Sequence, residues 1–274
     1  MTSRTASPRR LACVPAGGLA LALAAGAAQA QDAAPICTDR PTKANSTCTV
    51  PAGAWQVESD LVNHTRNRAG GVRSEATYVV NPYVKYGLTD RADIQVSWAP
   101  YIHAASKDLA TGAKASDSGS GDLYVRLKAK VWSGDKGSAS IIPFVKAPVA
   151  SRGFGNDAWE GGVAAPVSFT LPDSVTLTFG PELDVLVDAD GSGRHVALVN
   201  LVNVARPLND RLSVVGELWS SFNFDPAGTV RQYSADVALT YLVTPVVQLD
   251  VGANLGLNRN TPDAQVYAGV STRF

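Results

Sequence analysis

From Trp55 to the C-terminal Phe274 the chain alternates apolar and polar residues, the period-2 pattern of a β-strand whose two faces meet different surroundings. Residues 121–132 place Leu123, Val125, Leu127, Ala129 and Val131 on one face and Asp122, Tyr124, Arg126, Lys128 and Lys130 on the other. Residues 174–188 set Val175, Leu177, Phe179, Leu183, Val185 and Val187 against Thr176, Thr178, Glu182, Asp184 and Asp188. Residues 246–258 separate Val247, Leu249, Val251, Ala253, Leu255 and Leu257 from Gln248, Asp250, Asn254 and Asn258 in the same way. The helical period is absent from this region.

The pattern predicts about twelve strands, near 54–64, 74–87, 92–103, 121–132, 139–150, 162–171, 174–187, 194–206, 211–224, 231–243, 246–258 and 263–274. Each is long enough to cross a bilayer when tilted. The connections alternate in length. Tight ones fall at Leu88 to Arg91, Ser133 to Gly137, Pro172-Asp173, Leu208 to Asp210 and Thr244-Pro245. Most others are longer and rich in Gly, Asp and Ser, the longest running from Ala104 to Gly121. Short turns on one side and long loops on the other are the pattern of outer-membrane barrels, with both chain ends on the periplasmic side.

An exported β-sandwich also alternates, but it hides its apolar face in a shared core and keeps Lys and Glu frequent on the solvent face. Here the apolar face persists through nearly every strand with almost no charge on it. In lipid only a closed barrel satisfies every backbone N–H and C=O without an exposed edge. The expected fold is therefore all-β: a transmembrane antiparallel up-and-down β-barrel of about 12 strands over residues 53–274. Aromatic residues fit two interfacial belts. Trp55, Tyr86, Phe169, Tyr241 and Phe274 fall at periplasmic strand ends, and Phe222, Phe224 and Tyr233 at outer ends. Trp98 and Trp219 fit neither belt and are assigned to packing within the wall.

Residues 1–30 read as a cleaved signal peptide, with basic Arg4, Arg9 and Arg10, an apolar run from Leu11 to Ala25, and Ala28-Gln29-Ala30 before Gln31. The surroundings of Arg9-Arg10 fit a twin-arginine signal poorly, and Cys13 precedes the apolar run, where a lipidation site would follow it. Removing this segment takes three arginines and no acid from a chain with 24 basic and 24 acidic residues, leaving a net charge of −3. Nucleic acid is not an expected partner. Residues 31–52 form an N-terminal periplasmic segment, too short for an energy-coupling plug domain. In an exported chain Cys37 and Cys48 are expected to form a disulfide closing a short loop, and a metal site from two cysteines without a nearby histidine is the weaker reading.

The last strand carries Val266, Ala268, Val270, Thr272 and Phe274 on one face and resembles the C-terminal signal read by the barrel-assembly machinery. Together with Tyr83-Val84-Lys85-Tyr86-Gly87-Leu88-Thr89-Asp90-Arg91-Ala92-Asp93, Gly119-Ser120-Gly121-Asp122-Leu123 and Ile142-Pro143-Phe144-Val145-Lys146-Ala147-Pro148, it makes the chain resemble the MetA-pathway of phenol degradation family. These motifs are mostly turns and strand ends. The resemblance implies an outer-membrane, transporter-like barrel associated with uptake of aromatic or other hydrophobic compounds.

The lumen-lining candidates are the bases Lys85, Arg126, Lys128, Lys130 and Lys146 and the acids Glu182, Asp184, Glu217, Asp236 and Asp250, with Glu58, Asp60, Glu75 and Arg273 on the same face. Such rows either neutralise one another inside a filled barrel or select polar solutes in a pore. Arg126, Lys128 and Lys130 make the strongest row of one sign. His64, His103 and His195 lie near outer strand ends, where an outer-membrane hydrolase would keep its catalytic groups. No strand supplies a Ser, His and acid set, so no enzyme activity, catalytic residue or metal ligand is assigned. Asp188 to Gly193 begins like a calcium loop but lacks the downstream glutamate and reads as a flexible turn. Phe154 and Trp159 either touch a solute or pack their loop onto the rim. The expectation is a monomeric barrel, embedded in outer-membrane lipid and without a cofactor, that passes small molecules passively. Its alternative is a structural or adhesive barrel with an occluded lumen and partner-binding outer loops.

Overall fold

The computed structural model describes residues 34–274; the signal peptide expected over residues 1–30 lies outside them. Twelve antiparallel wall strands follow one another around a closed barrel. They are β1 (Trp55–Ala69), β2 (Val72–Thr89), β3 (Ala92–Trp98 and Tyr101–Asp108), β4 (Lys114–Gly119 and Leu123–Gly134), β5 (Gly137–Ala147) and β6 (Glu160–Ala164 and Val167–Thr170). The second half is β7 (Thr176–Phe179 and Glu182–Val187), β8 (Arg194–Pro207), β9 (Leu212–Asn223), β10 (Val230–Thr244), β11 (Val247–Gly256) and β12 (Ala264–Arg273). Closure is made by β12 on β1, from Gln56 opposite Arg273 to Arg66 opposite Ala264. Trp55 and Phe274 exchange both backbone hydrogen bonds at 2.9 Å, so the terminal aromatic is locked to the first residue of the wall.

Three of the four split strands break at a proline. Pro100, Pro166 and Pro181 have no N–H to give the ladder, so the strand kinks there and resumes. Backbone bonds still bridge two of these kinks, with Ser140 N donating to Pro166 O and Ala165 N to Pro181 O. Register shifts at Leu61, Leu88, Val131 and Val243 interrupt strict alternation. At the first and third, two consecutive apolar residues, Leu61–Val62 and Val131–Trp132, are therefore exposed on the outer face.

The barrel is inside-out relative to a soluble protein. Val84, Ile94, Val96, Leu127, Val145, Leu183, Val196, Leu239 and Val251 are exposed outward, while Gln56, Glu58, Asp60, Lys85, Gln95, Lys128, Glu217, Asp236 and Asp250 are buried within. The aromatic ends pair as expected for belts, with Trp55 against Tyr86 (4.8 Å) and Phe222 edge-on to Tyr233 (5.9 Å). Trp132 joins the short-turn belt by packing on Phe169.

Two expectations about connections change. The first outer connection is a two-residue turn, because β1 and β2 run on as a projecting hairpin. Gly70 and Gly71 both have positive φ (57° and 79°), the backbone of a type I′ turn whose twist matches its strands. The long connection expected from Ala104 to Gly121 is mostly a second hairpin, Tyr101–Asp108 paired with Lys114–Gly119. Gly- and Ser-rich composition reads as loop, yet paired strands beyond the membrane need no apolar face, and local pattern does not register them.

Candidate functional site

Residues 31–52 were expected to stay in the periplasm; in the described part, residues 34–54 form an extended strap whose middle lies inside the barrel. A segment this short cannot bury a core of its own, but it can be ordered by wall groups that would otherwise face one another uncompensated. Ile36 N donates to Pro245 O (2.6 Å) at the short-turn end, and the side-chain amide of Gln56 donates to Cys37 O (2.9 Å). The strap then crosses the lumen and returns along β5 and β3. Thr47 Oγ1 meets Ser138 Oγ (2.6 Å), Ser140 Oγ donates to Thr47 O (2.7 Å), and Val50 N donates to Asp93 Oδ2 (2.9 Å). Cys37 and Cys48 are joined in a disulfide, Cα atoms 6.4 Å apart, closing the crossing portion into a loop.

The wall has an acidic side and a basic side, and the strap presents the opposite charge to each. On β1, Glu58 accepts from the backbone N–H groups of Asp39 (2.9 Å) and Arg40 (3.1 Å). Arg40 grips Asp250 of β11 with two bonds, Nε to Oδ2 at 3.0 Å and Nη2 to Oδ1 at 2.6 Å, and reaches Asp60 of β1 with Nη1 at 2.6 Å. Lys43 pairs with Asp236 of β10 and lies over the Trp219 ring (5.1 Å), while Glu217 of β9 accepts from Lys43 N (3.1 Å) and Ala44 N (3.0 Å). Toward the basic side, Asp39 takes Lys85 of β2 and Lys128 of β4, each at 2.5 Å. Asn45 accepts from Arg126, whose guanidinium also lies over Tyr83 (5.3 Å).

The Arg40 seat shows how register builds the site. Asp60, Gly269 and Asp250 are directly opposite one another on three neighbouring strands, β1, β12 and β11. The glycine between two inward carboxylates leaves a notch, and a Cβ at Gly269 would overlap the Arg40 guanidinium. Gly269→Ala is therefore expected to unseat the strap while leaving the barrel closed. The check is faster trypsin cleavage after Lys43 with heat-modifiable gel mobility unchanged; equal cleavage rates would refute it.

Burial alone would push the Asp39 carboxyl up, but the charges of Lys128, Lys85 and Arg126 outweigh it and hold it well below the ordinary carboxylate range. A depressed folded value means that Asp39 contributes stability above its unfolded value of about 4, lost only as pH falls through the lower folded value. On this group's account the strap should stay docked from neutral pH to about 4 and loosen only in stronger acid. Trypsin cannot be used there, but pepsin digestion at descending pH reads the same release.

Most of the sequence candidates are gathered by the strap and not by one another. Lys85, Lys128, Arg126, Glu217, Asp236 and Asp250 all contact it. Lys146 belongs to a separate group at the loop end, with Glu160 (2.8 Å) and Asp122 (3.3 Å). Glu182 and Asp184 share the inward face of β7 and form no ion pair within 4 Å among the described residues. Lys130 likewise forms none. The Arg126–Lys128–Lys130 row is thus not a single line of free charge, because Asp39 neutralises its middle member. Trp219, expected to pack in the wall, faces inward and carries Lys43.

Sequence reading missed Asp39, Arg40, Lys43 and Asn45. Their available signal was a charged run inside a cysteine-closed loop, ahead of a wall with more inward acids than bases.

The strap leaves two polar spaces. One, about 420 Å³, opens at the short-turn end between the strap and a wall of Ser138, Ser168, Thr176, Thr178 and Asn203. The other, also about 420 Å³, is at the loop end and is lined by Asn63, Tyr78, Asn81, Tyr83, Tyr124 and Phe154. Phe154 is carried there by the connection between β5 and β6, which folds inward through Ser151 N to Ser120 O (3.0 Å) and Ala150 N to Asp122 Oδ1 (3.0 Å). Trp159 stays exposed on the outside.

The histidines do not meet. His64 pairs with Thr77 (2.9 Å), His103 with Ser118 (3.0 Å) and His195 with Asp188 (2.8 Å). The His103–Ser118 pair has no carboxylate holding the ring among the described residues, so it lacks the orienting third group of a hydrolase.

A family profile described as Putative MetA-pathway of phenol degradation matches residues 38–274, from within the strap to the last residue. The chain belongs to this family. No curated protein sequence matches it. Among solved structures, an outer-membrane channel from Pseudomonas putida F1 is similar in fold, with a TM-score of 0.66 at 15% identity over 84% of this chain and 98% of the channel. The NanC porin is similar at a TM-score of 0.52 and 10% identity, over 80% of this chain and 98% of the porin. The β domain of the Bordetella autotransporter BrkA gives 0.52 and 11%, over 82% of this chain and all of that domain. At these identities the likeness shows a shared barrel fold and nothing finer.

Proposed function

We propose that the protein is a passive outer-membrane channel whose bore is set by the strap, admitting small solutes through the loop-end space and releasing them through the short-turn space. The observation that carries this is a pair of polar cavities at opposite ends of one lumen, separated by a ring of strap contacts. A barrel meant only as a wall has no need of a hydrophilic chamber at each end.

The loop-end chamber combines aromatic faces (Tyr78, Tyr83, Tyr124, Phe154) with side-chain amides (Asn63, Asn81, Gln265). That lining suits a small aromatic solute bearing a hydroxyl or similar polar group, stacked on rings and hydrogen-bonded at its rim. The family's description, which names phenol degradation, supports this reading. It involves no catalytic step and no cofactor.

The rival reading, a structural barrel sealed by the strap, is favoured by the density of the strap's ion pairs. Planar-bilayer recording separates the two. A channel gives discrete openings that a small phenol added on the loop side blocks in a concentration-dependent way. A protein that inserts, remains heat-modifiable and never conducts would sink the channel reading and leave the sealed barrel.

A further inference from the structure

At the loop end, two connections distant from the strap converge on one imidazole. His195 begins β8 on its lumen-facing side, shared with Ala197, Leu201 and Asn203, and is 8% exposed. Its Nδ1 lies 2.8 Å from Asp188 Oδ1, in the β7–β8 hairpin, and 3.6 Å from Asp225 Oδ2, in the β9–β10 connection. One ligand atom from each residue falls within 4.8 Å of the other two. Nε2 is buried and has no hydrogen-bond partner among the described residues, so the two carboxylates alone hold the ring.

The surroundings preorganise the carboxylates. Asp225 accepts from Ala189 N (2.8 Å) and Ala227 N (2.7 Å), which fixes both its oxygens and ties the two connections together. Gly193 packs so closely on Asp188 Oδ2 that a Cβ there would overlap it. Asp190, which made the hairpin resemble a calcium loop, is not a member of the cluster; it caps Ser192 N (2.9 Å).

A neutral histidine can donate one proton from Nδ1 to one carboxylate, and that accounts for Asp188 alone. Asp225 is then a second negative charge directed at the same nitrogen. Among the described residues neither carboxylate is paired with a lysine or arginine, and Arg194 is engaged with the Trp159 carbonyl. Two carboxylates around one imidazole are balanced by a divalent cation on a neutral ring. We propose that Asp188, His195 and Asp225 form a site for a divalent transition ion of the zinc class, with Nδ1 and one oxygen from each carboxylate as ligands and solvent in the fourth position. An imidazole ligand disfavours calcium and magnesium, which take oxygen. Binding moves the ring proton from Nδ1 to Nε2, so that the ring stays neutral. It asks the shorter N–O separation (2.8 Å) to open and the longer (3.6 Å) to close toward the spacing of ligands around a tetrahedral ion, with the two carboxylate oxygens drawn to the same spacing from within 4.8 Å. The ion would staple two outer connections at the mouth, independently of whether the lumen conducts.

The test is calorimetric titration of zinc chloride into tag-free mature protein in detergent, repeated with cobalt(II) read by its visible absorption. One ion per chain is expected. His195→Gln and the double variant Asp188→Asn/Asp225→Asn should each weaken binding by more than about tenfold, while His64→Gln and His103→Gln should bind like the native protein. Heat-modifiable mobility confirms that every variant is a folded barrel. Absence of saturable binding by the native protein overturns the proposal. So does affinity unchanged in His195→Gln, or lost in the His64 or His103 variants.

Discussion

Deleting residues 35–49 is expected to raise single-channel conductance at least about threefold and to make the channel cation-selective. The cut removes Cys37 and Cys48 together, so no free thiol is created, and it spares Val50 to Ala54, where Gly53 and Ala54 bond to Gly87 at the edge of the wall. The crossing portion of the strap disappears, and with it the cations paired with Asp60, Asp250 and Asp236 and the two backbone N–H groups held by Glu217. These four acids face a water-filled lumen, while Lys85 keeps its bond to Glu58. Lys128 and Arg126 remain as the opposing bases, so the balance tips toward cation passage. Conductance and reversal potential under a salt gradient measure both effects. An unchanged conductance in a folded deletion variant would show that the strap does not set the bore.

A single substitution should release the same segment more selectively. Arg40→Ala leaves Asp60 and Asp250 facing one another across Gly269 without a cation. Breaking a buried ion pair by removing one partner costs roughly 3–5 kcal/mol. Water entering the lumen relieves the two carboxylates once the strap lifts, which places the effect toward the lower end and makes undocking the route of relief. Trypsin reads the event directly, because the Lys43–Ala44 bond is protected while Lys43 is held against Asp236 and Trp219. Cleavage there should accelerate by on the order of a hundredfold, the factor equivalent to about 3 kcal/mol. Arg40→Lys should fall between, since an ammonium can meet either carboxylate but cannot reproduce the two-bond grip on Asp250. Equal cleavage in native protein and Arg40→Ala would place the strap's anchoring elsewhere.

The strap also changes what the lumen charges mean. Read along β4 alone, Arg126, Lys128 and Lys130 form a basic row, and replacing them would be expected to alter ion selectivity as a unit. Across the lumen they have different fates: Lys128 is neutralised by Asp39, Arg126 holds Asn45, and Lys130 stands apart. Arg126, Lys130, Glu182 and Asp184 are inward charges outside these ion pairs, so selectivity in the native channel should depend on them more than on Lys128.

What residue order alone determined is the part of this protein governed by local rules. Period-2 alternation specified twelve strands and the sign of each face, since a side chain one residue along a strand points the other way whatever its neighbours do. Turn chemistry placed the short connections, the Cys37–Cys48 bridge was foreseeable from spacing and export, and Phe274 was legible as the outward end of the closing strand, where it now proves to be bonded to Trp55. What only the tertiary structure decided depends on which strands stand beside and across from one another. Asp60, Gly269 and Asp250 become neighbours solely through the register of closure, and Asp188, His195 and Asp225 solely through the approach of two separate connections. The strap is the clearest case. Its residues have no strand period and no core, and their conformation comes from charges on walls up to 239 residues away, which no window along the chain contains.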